Sequence, residues 1–236
     1  MSTVEGAGVM RDGRADVNES ERFKGNFGSH GGTSVSADGL RWTPHAKISF
    51  PRAAHGHQAY DCHNNLVWDW KTESFLMTTH WYHDSPNVRC IMHFRSVPNE
   101  FGGWPKALSE SHLILNGSSA LQLYSQITFP YYNLYLGLVM VFDTKDPTTI
   151  GTVECRLAWS SGMNQPWSIV GWSPDNSSQS TSSAQFIPRG AGDGPTGAFD
   201  SQIIFAAAHP VPVASEGIRI TTWAAMGLIM GRATRV

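Results

Sequence analysis

The fold is decided by three segments that end in tryptophan: Ser34-Val-Ser-Ala-Asp-Gly-Leu-Arg-Trp42, Phe94-Arg-Ser-Val-Pro-Asn-Glu-Phe-Gly-Gly-Trp104 and Leu157-Ala-Trp-Ser-Ser-Gly-Met-Asn-Gln-Pro-Trp167. Each segment joins a short apolar strand to a polar turn and then to an indole. The three tryptophans are 62 and 63 residues apart. A fixed period of this size predicts one supersecondary unit repeated along the chain, here a hairpin whose tryptophan packs between neighbouring sheets.

A second series of segments keeps the same period and sets polar residues directly before strand-forming residues. It consists of Tyr60-Asp-Cys-His-Asn-Asn-Leu-Val-Trp68, Leu123-Tyr-Ser-Gln-Ile-Thr-Phe129 and Phe199-Asp-Ser-Gln-Ile-Ile-Phe205. Asp61 and Tyr124 are 63 residues apart, whereas Tyr124 and Asp200 are 76 apart. A polar surface loop at 175–197 accounts for the excess. Two coincident periods strengthen the prediction of repeated sheets.

Composition favours many short strands and tight turns over a helical bundle. Of 236 residues, 41% are apolar and 15% are charged, and there are 23 glycines and 9 tryptophans. A net charge of −2 without a basic run argues against binding to nucleic acid or to an anionic membrane. No apolar stretch reaches the roughly 18–20 residues that span a bilayer, and the polar N-terminus lacks a signal-peptide core. We therefore expect a cytoplasmic protein and predict no cofactor.

The repeats predict a flexible N-terminal segment at 1–20 and a single all-β domain at 21–236, a β-propeller of about four blades. The second blade should have strands near 65–70, 74–81 and 88–95, and the third near 121–129, 134–142 and 152–160. A fourth, short blade is predicted at 199–236. An open stack of sheets would expose edges and apolar end faces, so we expect a closed ring, or self-association where the ring is incomplete.

With these segments aligned, the chain resembles the five-bladed β-propellers of the glycoside hydrolase family 32/family 43 superfamily, in particular the family 32 N-terminal-domain-like group. The resemblance rests on four pieces in order: Glu21-Arg-Phe-Lys with Ser36-Ala-Asp-Gly-Leu-Arg-Trp-Thr, Asp61-Cys-His-Asn-Asn-Leu-Val-Trp-Asp, Leu123-Tyr through Phe129-Pro-Tyr-Tyr-Asn-Leu-Tyr-Leu-Gly-Leu, and Phe199-Asp-Ser-Gln. It implies five blades around a central mouth and a carbohydrate ligand. Only about four blades can be counted here, and the shortened part is where such enzymes often carry a catalytic carboxylate.

In a propeller the first strand of each blade lines the central channel, and its first residues point into the mouth. Glycoside cleavage needs two carboxylates, and Asp61 and Asp200 are the best pair because they hold equivalent repeat positions. The alternative is that they hydrogen-bond turn amides. Glu154, in the pair Glu154-Cys155, is a further candidate acid, with a solvent-facing side chain beside a core cysteine as its alternative.

The side chains expected to bind the sugar are those that share the start of a first strand with these carboxylates. They are His63, Asn64, Tyr124, Gln126 and Gln202. The amides and the tyrosine suit the hydroxyl groups of a sugar. The alternatives are that Gln126 and Gln202 bridge blades and that Tyr124 packs in the core.

Six of the ten histidines lie between positions 55 and 93, which raises a metal site as an alternative. They are His55, His57, His63, His80, His83 and His93. His-x-His on a strand sets two rings on one face, as zinc requires, but no matching carboxylate spacing accompanies them. Scattered surface and pocket histidines are the competing interpretation. One of the irregularly spaced Trp68, Trp70 and Trp81 is expected to line the pocket.

Three functions are therefore compatible with the sequence. The first is a glycoside hydrolase that uses inner-strand carboxylates at the mouth. The second is a non-catalytic propeller that binds sugar or protein at the same mouth. The third and weakest is a metal-dependent hydrolase built on the histidines.

Overall fold

The computed structural model describes residues 7–27, 32–47, 64–82, 88–104, 111–118, 121–143, 151–172, 185–192, 196–206, 209–213 and 217–225. Within these ranges the regular structure is β-strand, apart from one 3-10 turn at Glu19–Glu21. No helix among the described residues is long and apolar enough to cross a membrane. The prediction of an all-β chain is confirmed.

The first sheet begins inside the segment predicted to be a flexible lead-in. Its four antiparallel strands, in spatial order, are β1 (Gly8–Arg11), β2 (Phe23–Asn26), β3 (Gly32–Ser36) and β4 (Thr43–Lys47). Asp12, just after β1, is buried and ion-pairs with Arg14 and Lys24. Burial alone would raise the pKa of Asp12, but its hydrogen bonds to Arg14 and Lys24 outweigh burial and hold that pKa below its usual value. Residues 7–20 thus belong to the fold, which corrects the expectation for 1–20.

The second and third sheets follow the predicted repeats closely. The second contains β5 (Asn65–Asp69), β6 (Ser74–Tyr82), β7 (Arg89–Arg95) and β8 (Ser111–Leu115), paired in that order. The third contains β9 (Leu121–Tyr131), β10 (Leu134–Asp143), β11 (Thr152–Ser160) and the short β12 (Ser168–Ile169), which pairs with β11. Each sheet is a meander of antiparallel strands, as in a propeller blade.

The last strands differ from the expectation of a separate fourth sheet. They are β13 (Ile203–Ala206), β14 (Val211–Val213), β15 (Gly217–Arg219) and β16 (Thr222–Ala225). β13 pairs with β16 and joins β11 through one parallel pair, Val153 with Ile203. β14 and β15 form a separate hairpin. Among the described residues, the sheet of the fourth unit consists of β13 and β16, and the side chains of β13 pack directly on the third sheet, in one buried cluster with Ile127 and Leu138.

A serine stands at the end of the third strand in each of the three full sheets. This shared feature shows that the three tryptophan segments are copies of the same structural unit. Ser36, Ser96 and Ser160 are all buried at these strand ends. The Ser36 Oγ accepts from the Gly39 amide at 2.9 Å. The Ser96 Oγ accepts from Phe75 N and donates to Val97 O, and the Ser160 Oγ donates to Gly162 O. The turn that follows each serine leads to the tryptophan.

The tryptophans occupy related but unequal positions. Trp104 is buried in the cluster between the first and second sheets, and Trp167 in the cluster between the second and third. Packing between sheets is therefore confirmed for these two. Trp42 is half-buried and packs edge-on against Phe27, with ring centroids 5.0 Å apart.

The core consists of successive layers because the second sheet is buried on both faces. Its alternate side chains point to opposite neighbours: Leu66 and Trp68 join Met10 of the first sheet, whereas Val67 joins Leu123 of the third. The first strands β1, β5 and β9 lie side by side, each in contact with the next. Face-to-face sheets whose first strands adjoin are the arrangement of neighbouring propeller blades. The described residues form no closed sheet.

Candidate functional site

The first strands run in the same direction, so all of them begin at one end of the molecule and turn back at the other. The side chains at these two ends differ in chemistry. We call the end where β5 and β9 begin, near Asn65 and Leu121, the mouth end, and the end where they turn into β6 and β10 the turn end. The strands approach closely at Gly8 of β1: a Cβ there would lie 2.0 Å from the Asn64 carbonyl oxygen. Only glycine allows this approach.

Buried polar side chains join β5, β6 and β9 below the mouth end. The Asn65 Oδ1 accepts from the Thr128 amide at 2.9 Å, and the Thr78 hydroxyl donates to the Thr128 hydroxyl oxygen at 3.1 Å. The Gln126 Nε2 also donates to the Thr128 hydroxyl oxygen, at 3.0 Å. Gln126 is fully buried and its hydrogen bond to Thr128 stays within β9, so sugar binding by Gln126 and a bridge between blades both remain predictions. Asn64 is buried beside this network.

Arg89 forms the most distinctive feature of the mouth end. Its guanidinium carbon lies 5.1 Å from the ring centroids of both Tyr82 and Tyr124, so the cation is held between two tyrosines. The Arg89 Nη1 donates to the Gln122 Oε1 at 2.5 Å. The Arg89 Nε is buried without an acceptor, and no carboxylate within the described ranges pairs with this half-buried cation.

The predicted residues Tyr124, Asp200 and Gln202 come to the same end of the third sheet. The backbone oxygen of Gln202 accepts from the Val153 amide at 2.9 Å, at the start of β11. The ring of Phe205 lies 5.5 Å from that of Tyr124. Asp200 and Gln202 are half-buried, and the Asp200 carboxylate lies against Gly190, where a Cβ would meet its Oδ1 at 1.9 Å.

Glu154 is buried, which corrects the expectation of a solvent-facing side chain. Its Oε1 ion-pairs with the fully buried Arg156, and its Oε2 accepts from the Gln185 Nε2 at 2.6 Å. Both carboxylate oxygens are thus engaged inside the protein. Burial, together with the neighbouring Glu154, raises the pKa of the Cys155 thiol to about 12, so this cysteine stays protonated.

The remaining sequence candidates divide between the core and positions outside the described residues. Asp61, His63, His55, His57 and His83 lie outside the described ranges.

Two of the six histidines between positions 55 and 93 are described, His80 and His93, and both are core residues. His80 packs against Tyr124 with ring centroids 5.8 Å apart. His93 is buried with its Nδ1 3.0 Å from Met163 O. Burial lowers the pKa of His93 to about 3, so its ring is neutral and donates from Nδ1. No group of three His, Cys, Asp or Glu suited to a metal occurs within the part of the chain that the structure describes.

The turn end carries a cavity of about 710 Å³ at the ends of all three first strands. The β14–β15 hairpin closes one side of it, and His209 fixes this hairpin by donating from Nε2 to Leu66 O at 2.7 Å. The cavity is lined by Val9, Met10, Arg11, Gly13, Val67, Trp68, Trp70, Phe129, Pro130, His209, Pro210, Val211, Pro212 and Ile218. Trp68 and Trp70 line this turn-end cavity, whereas Trp81 is buried in the core. That one of the three tryptophans lines a sugar pocket at the mouth stays a prediction.

Arg89, Arg11 and His209 are site residues that sequence reasoning missed. The partners of Arg89 come from three separate strands, and no local pattern marks them. Arg11 lay in the segment interpreted as a lead-in. The sequence marks His209 only by its position directly before Pro210-Val-Pro212, the segment that leads into β14.

Comparison with known proteins gives little beyond the geometry. No family model matches the chain, and no curated protein matches it. One similar solved structure is a GH43 β-1,3-galactosidase with galactodeoxynojirimycin. It has a TM-score of 0.32 and 10% sequence identity, and the match covers 71% of this chain and 75% of that one. A similarity this low transfers no activity to the present chain.

Proposed function

We propose that the protein binds carbohydrate at its mouth end and is related in function to glycoside hydrolases. The observation that carries the proposal is Arg89, whose guanidinium lies close to Tyr82 and Tyr124, is hydrogen-bonded to Gln122 and has no carboxylate partner among the described residues. A half-buried cation beside two tyrosine rings and an amide suits the hydroxyl groups of a sugar ring.

Cleavage is the finer part of the proposal. Asp61 and Asp200 would act as the acid and the base or nucleophile on either side of the scissile bond. Gln202 and Tyr124 would orient the sugar. Glu154 is left out because Arg156 and Gln185 occupy both of its oxygens.

The test is a release assay on a panel of aryl-glycosides and plant or algal glycans. Asp61→Asn and Asp200→Asn should each reduce hydrolysis by about 10²–10⁴-fold, the usual contribution of a general acid or base. Asp16→Asn removes an exposed carboxylate on the first sheet and should leave the rate unchanged. Hydrolysis that persists in both mouth variants contradicts the assignment of the carboxylates.

The second candidate is a non-catalytic sugar-binding propeller. The engaged state of Glu154 favours it, since Asp200 is then the one candidate carboxylate left among the described residues. Binding without hydrolysis, weakened by Arg89→Ala but not by Arg22→Ala, which removes another half-buried arginine, would support this candidate over the enzyme. Absence of both binding and hydrolysis across the panel would contradict the carbohydrate proposal itself.

A further inference from the structure

The turn-end cavity differs from a sugar site in the chemistry of its walls. Its surfaces are mainly indole, phenyl, proline and aliphatic groups from the three first strands and the β14–β15 hairpin. No Asp, Glu, Asn or Gln of the described ranges lines it. Sugar hydroxyls need several convergent polar partners, because each buried hydroxyl without one costs free energy. The cavity therefore favours a ligand with an apolar body.

Two tryptophans form a corner of this cavity. The rings of Trp68 and Trp70 are perpendicular, at 88°, with centroids 6.0 Å apart. Trp70 is 62% exposed, whereas Trp68 is buried and carries the Arg14 guanidinium 4.3 Å from its ring centroid. A flat ring that covers Trp70 would bury apolar surface that is now in water.

The polar side chains that line the cavity among the described residues are few. Arg11 supplies the single cation and is exposed, with no carboxylate partner within the described ranges. The Trp68 Nε1 is buried and has no acceptor among the described residues. His209 adds no charge, because burial lowers its pKa, although its bond to Leu66 acts in the opposite direction. Among the described lining residues, the Trp68 Nε1 donor and the positive charge of Arg11 complement an acceptor group with negative charge.

We infer that the turn-end cavity is a second binding site, for a small amphipathic anion made of an aromatic ring system and one carboxylate. The ring would lie against Trp70 and the carboxylate would point to Arg11. The site is independent of the mouth end, since the two lie at opposite ends of β5 and β9.

The first experiment measures binding of 1-naphthoate by calorimetry, with 1-naphthalenemethanol as a neutral probe of similar shape. The wild-type protein should bind 1-naphthoate, and Trp70→Ala should weaken binding by at least about tenfold through the lost aromatic contact. Trp159→Ala removes another partly exposed indole, on β11, and should change nothing. No binding by the wild type at millimolar probe, or equal binding by Trp70→Ala, would overturn the proposal.

The second experiment tests the charge. Arg11→Gln should weaken 1-naphthoate binding by about 2–5-fold, as expected for an exposed ion pair, and leave 1-naphthalenemethanol unaffected. Arg41→Gln, which removes an exposed arginine of the first sheet, is the matched control. Equal affinity of the wild type for the two probes would overturn the assignment of an anion. Displacement of 1-naphthoate by a mouth-end glycan would overturn the independence of the site.

Discussion

The two ends of the first strands have the same backbone arrangement but opposite chemistry. At the mouth end, β5 and β9 are joined by hydrogen bonds through Asn65 and Thr128, and a fixed arginine lies between tyrosines. At the turn end, the same strands carry Trp68 and Phe129 close to their last residues, and these side chains line an apolar cavity. A single set of adjoining first strands therefore presents two different surfaces, one at each end, and each surface suits a different class of ligand.

The difference arises from what covers each end. At the turn end the β14–β15 hairpin, held by His209, covers one side of the strand ends, so apolar side chains line a partly sheltered cavity. The mouth end keeps half-buried polar groups: Arg89, Tyr124, Asp200 and Gln202. Polar groups that remain partly in contact with water cost little to desolvate and are available to a ligand.

The largest expected effect on stability concerns Glu154, whose carboxylate holds the buried interior together and is not part of the mouth end. Glu154→Gln should lower the free energy of unfolding by about 3–5 kcal/mol, because it leaves the buried Arg156 without its counter-charge. Urea unfolding measures this. The double variant Glu154→Gln/Arg156→Met should recover most of the loss. Full stability of Glu154→Gln with abolished hydrolysis would instead assign Glu154 to the mouth.

The next effect is a pH dependence that originates at the interface between the second and third sheets. His93 on β7 contacts Trp167, with ring centroids 5.8 Å apart, and its pKa is lowered to about 3 by burial. Below a pH of about 6.5, the histidine binds a proton in the unfolded chain but stays neutral in the folded chain. The free energy of unfolding therefore falls as pH falls.

Between pH 6.5 and 4.5 this costs about 2.3 kcal/mol, because the slope rises from about half of 1.36 kcal/mol per pH unit at the unfolded pKa to nearly the full value at pH 4.5. Urea unfolding across this range measures the slope. His93→Asn should remove about one proton from the slope, and Lys71→Gln, an exposed change at the turn end, should leave it unaltered. An unchanged slope in His93→Asn would show that His93 titrates normally in the folded protein.

A smaller effect tests whether the first strands adjoin as described. Gly8→Ala should destabilise the protein by about 1–3 kcal/mol, because the added Cβ would meet the Asn64 carbonyl oxygen on β5. Gly13→Ala is the matched control, since a Cβ there meets nothing within 4 Å. Thermal unfolding of the two variants gives the difference. Equal stability would mean that β1 and β5 do not pack as closely as described.

The sequence predicted those parts of the fold that repeat. β11 was expected at 152–160 and runs over Thr152–Ser160, because alternation and flanking turns mark it locally. β1 and β8 were missed, since their pairing with β2 and β7 depends on contacts far along the chain. The repeat period also could not predict that Glu154 is buried. Gln185, which contacts the Glu154 carboxylate, belongs to a loop outside the repeats.

The candidate site was harder to predict than the fold. Tyr124, Asp200 and Gln202 reach one end of the third sheet, as the aligned segments predicted. The turn-end cavity has walls from four separate parts of the chain, and no spacing within any one of them indicates a shared surface. Sites of this kind follow from tertiary packing and not from local pattern.

The most direct test of two distinct sites is a nitrogen-15 NMR titration of the full chain. Addition of 1-naphthoate should shift the indole N–H signals of Trp68 and Trp70 and leave the Arg89 Nε–H and the Gln122 side-chain amide unchanged. A glycan selected from the panel should give the opposite result. Shifts of one common set of signals by both ligands would contradict the account.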